Sequence, residues 1–136
     1  MTALTANYDA ERKDGILVSY KVAAATTIYK GALVCLNASG YAVPAQDATG
    51  LVFIGVAYEK ALNAAGANGD VAVRVWKDGS FRVAKAGAAA ADLGATAYAV
   101  DDNTVALTSS HTVAAGTIVE ILGTDAVRVL IRNACN

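Results

Sequence analysis

"VEILGTDAVRVL", residues 119–130, decides the fold. Two β-rich runs flank Gly123, Thr124 and Asp125. These residue types serve tight turns, because glycine accepts positive φ and aspartate hydrogen-bonds its own backbone. A three-residue turn sets Leu122 opposite Ala126, Ile121 opposite Val127 and Glu120 opposite Arg128. Opposite charges then face each other across the ladder, a pairing worth about 0.2–1 kcal/mol. Sliding the register by one residue would set Arg128 against Ile121, so the first register is expected.

The same pattern recurs towards the N-terminus. "ATAYAV" (95–100) reads as a strand, "DDNT" (101–104) as a turn with Asx chemistry, and "VAL" as the return. "ILVSYKVA" (16–23) is a first strand, and "GALVCL" (31–36), "NASG" and "YAV" (41–43) form a hairpin. Pro44, the only proline, is expected to stop that strand, since it has no N–H for a ladder. "LVFIGVAYEK" (51–60) is almost continuously apolar, as a strand buried on both faces would be, and Gly55 within it predicts a bulge or a close backbone approach. "NAAGANG" (63–69) reads as a loop. About eight to ten short strands at this spacing predict an all-β domain, a small sandwich or barrel.

Two stretches are less regular. In "VAVRVWKDGSFRVA" (71–84), Asp78-Gly79 predicts a tight hairpin pairing Trp76 with Phe81 and Val75 with Arg82. Both faces of such a hairpin would mix apolar and charged residues. Either both faces are partly covered or the turn is longer than two residues. "AGAAAADLG" (86–94) predicts one short helix, since alanine is the best helix former and Gly94 is placed to end it. Alone it would be too short to be stable in water.

The totals bound the answer. The chain has 136 residues, enough for one domain, which buries roughly two-thirds of the surface of the unfolded chain. It is 55% hydrophobic and only 17% charged, with a net charge of -1. That balance lacks the basic footprint nucleic acid requires. Mean hydropathy is +0.40, but the longest strongly apolar run falls far short of the ~20 residues of a membrane span. The first residues lack the basic and apolar blocks of a secretory signal. An apolar, weakly charged surface points to a protein that works in contact with others. Cys35 reads as a small core residue and Cys135 lies next to the C-terminus, without metal or redox spacing, so free thiols and no metal are expected.

No constellation announces catalysis or a cofactor. His111, the sole histidine, sits in the polar stretch "SSHTVAAG" without a nucleophile elbow and reads as a solvated loop residue. Asp101 and Asp102 lack the spacing of a calcium loop, and no phosphate-binding glycine motif occurs. Asn37-Ala38-Ser39 fits a glycosylation sequon but suits a hairpin turn better. Trp76 and Phe81 beside the Asp78-Gly79 turn are candidate core or interface anchors, with a carbohydrate platform as the other reading of Trp76. Tyr20, Tyr29, Tyr41, Tyr58 and Tyr98 are spread along the strands, which suits packing.

The segment "YDAERKDG" (8–15) stands apart, with charge on Asp9, Glu11, Arg12, Lys13 and Asp14. It cannot bury enough apolar surface to fold alone. It is either a frayed end or an arm that orders against a partner through Tyr8, Arg12 and Lys13. The expected organisation is therefore an extended arm over 1–15 and a single β domain over 16–136.

From about residue 8 to 131, the chain resembles the head-decoration, or cement, proteins of tailed bacteriophages. The resemblance rests on the charged segment before the first strand, "IYKGALV", "FIGVA", the "GDVAVRVW" strand with its "GSF" return, and an alanine-rich stretch before "YAVDD". It implies a non-enzymatic β module on the outer capsid surface, made in the host cytoplasm. It implies self-association, as a trimer or a dimer, and binding to the major capsid protein. The arm residues Tyr8, Asp9, Glu11, Arg12 and Lys13 would make the capsid or subunit contact.

Overall fold

The computed structural model describes residues 5–7 and 16–131. Its strands are β1 (Leu17–Lys21), β2 (Thr26–Ile28), β3 (Leu33–Leu36), β4 (Ala42–Pro44), β5 (Val52–Ala57), β6 (Ala61–Asn63), β7 (Ala72–Trp76), β8 (Ser80–Ala84), β9 (Thr96–Ala99), β10 (Val105–Ala106), β11 (Ala114–Ile121) and β12 (Ala126–Leu130). Sheet one has the order β1-β7-β5-β3-β4, sheet two the order β10-β9-β11-β12-β8, and β2 pairs with β6 alone. All named pairings are antiparallel. The chain is all-β, in the manner of a small sandwich. It has more strands than the sequence pattern predicts. The unforeseen pair is β2 and β6, short strands in stretches rich in Thr, Asn and Ala without clear alternation.

Two apolar cores lie on opposite faces of sheet one. The first fills the space between the sheets and includes Leu33, Cys35, Phe53, Val56, Val83, Ala97, Ile118, Val127 and Val129. The second lies on the other face of sheet one and includes Val22, Ile28, Val34, Ile54, Ala61, Val73 and Val75. Sheet one therefore faces protein on both sides, which explains the unbroken apolar run of β5. A bulge divides β5 between the cores. Val34 pairs with Gly55 and Cys35 with Phe53, leaving Ile54 as the extra residue. Phe53 and Val56 then share the first core, while Ile54 and Ala57 share the second. Only glycine fits at position 55, where φ is +140° and a Cβ would overlap the Trp76 carbonyl oxygen.

Each sheet curls towards closure. Past β1, Val22 bridges to Ala42, and the Ala23 N–H donates to the Ala42 carbonyl at 3.0 Å, so the outer strands of sheet one meet. In sheet two, Ala84 bridges to Thr104, and its N–H donates to the Asn103 carbonyl at 2.9 Å. The hairpin from β11 to β12 has the expected register, with Glu120 opposite Arg128 and Ile121 opposite Val127. Arg128 Nε donates to Glu120 Oε2 at 3.1 Å. The hairpin from β3 to β4 is also as expected. Asn37 Oδ1 accepts the N–H groups of Ser39 and Tyr41 in its turn, and Pro44 ends β4.

Two expectations are corrected. Residues 71–84 do not form a hairpin: β7 pairs with β1 and β5, whereas β8 pairs with β12. Asp78-Gly79 is a corner between sheets, with Gly79 at φ +108°. Separating the strands resolves the mixed faces, because Val73 and Val75 enter the second core while Phe81 and Val83 turn to the first. Residues 86–94 hold no α-helix, only a 3-10 turn at Ala90–Asp92. Tertiary bonds override alanine's propensity here. The Ala88 N–H donates to Thr124 O, and Asp92 is drawn to Lys85, with Nζ and Oδ2 2.9 Å apart.

Candidate functional site: an aromatic groove where the sheets part

Sheet two leaves part of sheet one's inner face uncovered near the 78–79 corner. Trp76 ends β7 between Leu17 of β1 and Val56 of β5, and Phe81 lies on β8, the outer strand of sheet two. Both rings are half-buried and pack against the first core. Between them opens a groove of about 680 Å³, floored by Val56 and bordered by the chain from Ala57 to Lys60 and by Lys30. Trp76 and Phe81 thus serve as core anchors and groove walls at once.

The walls are fixed by directed contacts. The Tyr58 ring meets Trp76 edge-on, with centroids 5.2 Å apart and planes at 73°. The Tyr58 N–H donates to the Arg74 carbonyl, and the Arg74 guanidinium lies 4.8 Å from the Tyr58 ring centroid. Arg74 also grips Glu59, with Nη2 to Oε2 at 2.6 Å. The hydrogen bond from Arg74 holds the Glu59 carboxyl below its ordinary range. Lys60 Nζ lies 5.4 Å from the Tyr29 ring centroid. Among the described residues, no carboxylate lies within ion-pair distance of Lys30 or Lys60. The groove is therefore apolar and aromatic inside, with an excess of positive charge on its rim.

Sequence reading reached Trp76 and Phe81 but missed Tyr58, Arg74, Lys30 and Lys60. Tyr58 reaches Trp76 and Arg74 because β5 pairs with β7, and Phe81 joins them because the chain turns a corner at 78–79; no spacing signals either. The tyrosines do not all pack inside: Tyr29 is 59% exposed and Tyr58 38%. The arm candidates Tyr8, Asp9, Glu11, Arg12 and Lys13 lie outside the described residues, as does Cys135.

Elsewhere the fold gathers residues that sequence spacing kept apart. Asp47 meets the 109–112 loop: Ser109 Oγ donates to its Oδ1 at 2.9 Å, the Ser110 and His111 N–H groups donate to its oxygens, and His111 Nδ1 lies 3.0 Å away. Those donors, the Ser110 amide foremost, hold the Asp47 carboxyl down at about 2. Ser, His and Asp are together, but the hydroxyl faces the carboxylate and the imidazole does not stand between them. The arrangement clamps a loop whose Thr112 has φ +52°. Asp101 forms the expected Asx turn, its Oδ1 accepting the Asn103 N–H at 2.8 Å. Cys35 lies in the first core, and burial pushes its thiol up to about 12.

No protein-family model, curated protein or solved structure matches this chain.

Proposed function

We propose that the protein is a structural adhesion module that decorates the outside of a tailed-phage capsid and cements it by bridging major capsid protein subunits. The observation that carries this reading is the half-buried aromatic groove with its cationic rim, on a chain otherwise poor in charge. Trp, Tyr and Arg around a partly desolvated pocket are the composition of protein-binding hot spots. Exposed Tyr29, Leu62 and Val52 add apolar surface suited to burial against a neighbour. The sequence resemblance supplies the capsid as the partner, with self-association as a trimer or dimer on its surface. The mechanism is mechanical: many modest contacts, repeated over a lattice, hold adjacent capsomers together.

The test mixes purified protein with its cognate empty shells and reads occupancy by cosedimentation and electron microscopy. Saturable, symmetric decoration is expected. Deleting residues 1–15 abolishes decoration while far-ultraviolet circular dichroism keeps the β signal. Full occupancy by the truncated protein removes the arm from the reading, and failure of the intact protein to bind shells overturns it. A second reading, recognition of a carbohydrate, draws on the half-exposed Trp76 edge. Binding to glycan arrays without binding to shells would favour it.

A further inference from the structure

We infer that the groove between Trp76 and Phe81 takes a bulky apolar side chain from a partner's protein segment, flanked in that segment by carboxylates. The inference rests on the adhesion reading and names the recognition chemistry within it. The floor is apolar, from Val56, and the walls are the Trp76 and Phe81 rings. A cavity of about 680 Å³ is larger than one side chain fills, so flanking backbone enters with it.

Charge selects the partner. Glu59, the acid on the rim, is held by Arg74 through Nε and Nη2, which neutralises it. Among the described residues, Lys30 and Lys60 remain as the charges a ligand meets. Lys30 and Gly31 also line an adjoining pocket of about 240 Å³ beside Tyr29, where Asp102 stands on the far side, so the positive charge is confined to the groove itself. A segment with acids on either side of its apolar anchor pairs with this rim, whereas a basic segment is repelled. The aromatic walls are already braced, Tyr58 against Trp76 and Arg74 over Tyr58, so little side-chain freedom is lost on binding.

Trp76 is the sole tryptophan of the chain, so its fluorescence reads the groove directly. The test titrates the full chain with three short synthetic peptides. One carries phenylalanine between aspartates, one has lysines in place of the aspartates, and one has alanine in place of the phenylalanine. The first is expected to shift the Trp76 emission saturably, and the other two to bind about tenfold more weakly or worse. In K30E/K60E the preference between acidic and basic peptides reverses, while thermal melting is unchanged because both side chains are on the surface. Equal response to acidic and basic peptides overturns the inference. So does an emission change produced by oligosaccharides or by protein concentration alone, which would assign the groove to glycan or to a second copy. The two levels separate cleanly. If K30E/K60E decorates shells as the parent does, the groove assignment falls and adhesion stands. If the parent ignores shells but selects the acidic peptide, the groove stands and the capsid reading falls.

Discussion

Sheet one and sheet two have the same number of strands, yet they are stabilised differently. Sheet one is covered on both faces, by sheet two on one side and by the β2–β6 ribbon on the other. Sheet two buries one face and shows the other to solvent, where Glu120 and Arg128 pair. Each sheet uses a glycine bulge to reset its alternation. Gly55 serves two cores at once, whereas Gly116, at φ +156° with a Cβ that would overlap the Leu130 carbonyl oxygen, serves one. Damage to sheet one should therefore spread to both cores, and damage to sheet two should stay on one side.

The strongest way to break this contrast is at the bulges. Gly55→Ala is expected to destabilise the fold by at least about 4 kcal/mol, because backbone at the centre of sheet one must move. Gly116→Ala is expected to cost about 3 kcal/mol. Denaturant unfolding orders the two, and equal costs would contradict the asymmetry. Next come the paired isoleucines, both fully buried. Ile118→Ala in the first core and Ile28→Ala in the second should each cost about 2–5 kcal/mol. Hydrogen exchange should show Ile28→Ala loosening β2 and β6 first, while sheet two keeps its protection.

Asn63 gives a finer probe of the ribbon. Its side-chain amide donates to the carbonyls of Ala23 at 2.9 Å and Ala67 at 3.0 Å, tying the turn after β1 to the loop after β6. Asn63→Leu leaves the buried Ala23 carbonyl unpaired, while Ala67 keeps the Asp70 N–H, and should cost about 1–3 kcal/mol in denaturant unfolding.

The smallest effect is in acid, and it falls on the loops around sheet two. The Asp47 carboxyl titrates at about 2 in the fold against an ordinary 3.8, and Asp92 is also lowered, chiefly by Lys85. A depressed carboxyl stabilises the fold at pH above its unfolded value and loses that contribution as pH falls towards its folded one. Between about pH 4 and 2 the 109–112 loop should lose amide protection before sheet one does, and the 86–94 loop should weaken as pH falls below the ordinary value of Asp92. Asp47→Asn should remove most of that dependence in the 109–112 loop.

Much of the β architecture was legible because it is local. The register of Glu120 against Arg128 follows from a short turn and complementary charges, and the Asn37 turn from side-chain chemistry within a few residues. The burial of β5 from Phe53 to Ala57 was readable from its apolar run. What could not be read is non-local. Asp78-Gly79 has the same local chemistry in a hairpin as in a corner, and only the partners β5 and β12 decide between them. The mixed faces of 71–84 were the one sequence sign that the two strands belong to different sheets. The alanine-rich 86–94 stretch shows the converse, where strong local propensity loses to Lys85 and the Thr124 carbonyl. The groove inherits this limit. Trp76 and Phe81 are close in sequence and were found, whereas Lys30, Tyr58 and Lys60 arrive from separate strands and connections.

The meeting of Val22 and Ala23 with β4 has a consequence for solubility in bulk. A chain this apolar, with so many short strands, would be at risk of stacking edge to edge into cross-β fibres if its sheet margins lay open. At the β4 margin the Ala42 carbonyl is already taken by Ala23, and Pro44 has no N–H to offer a newcomer. That margin therefore offers a newcomer fewer open backbone partners, which works against templated growth along it.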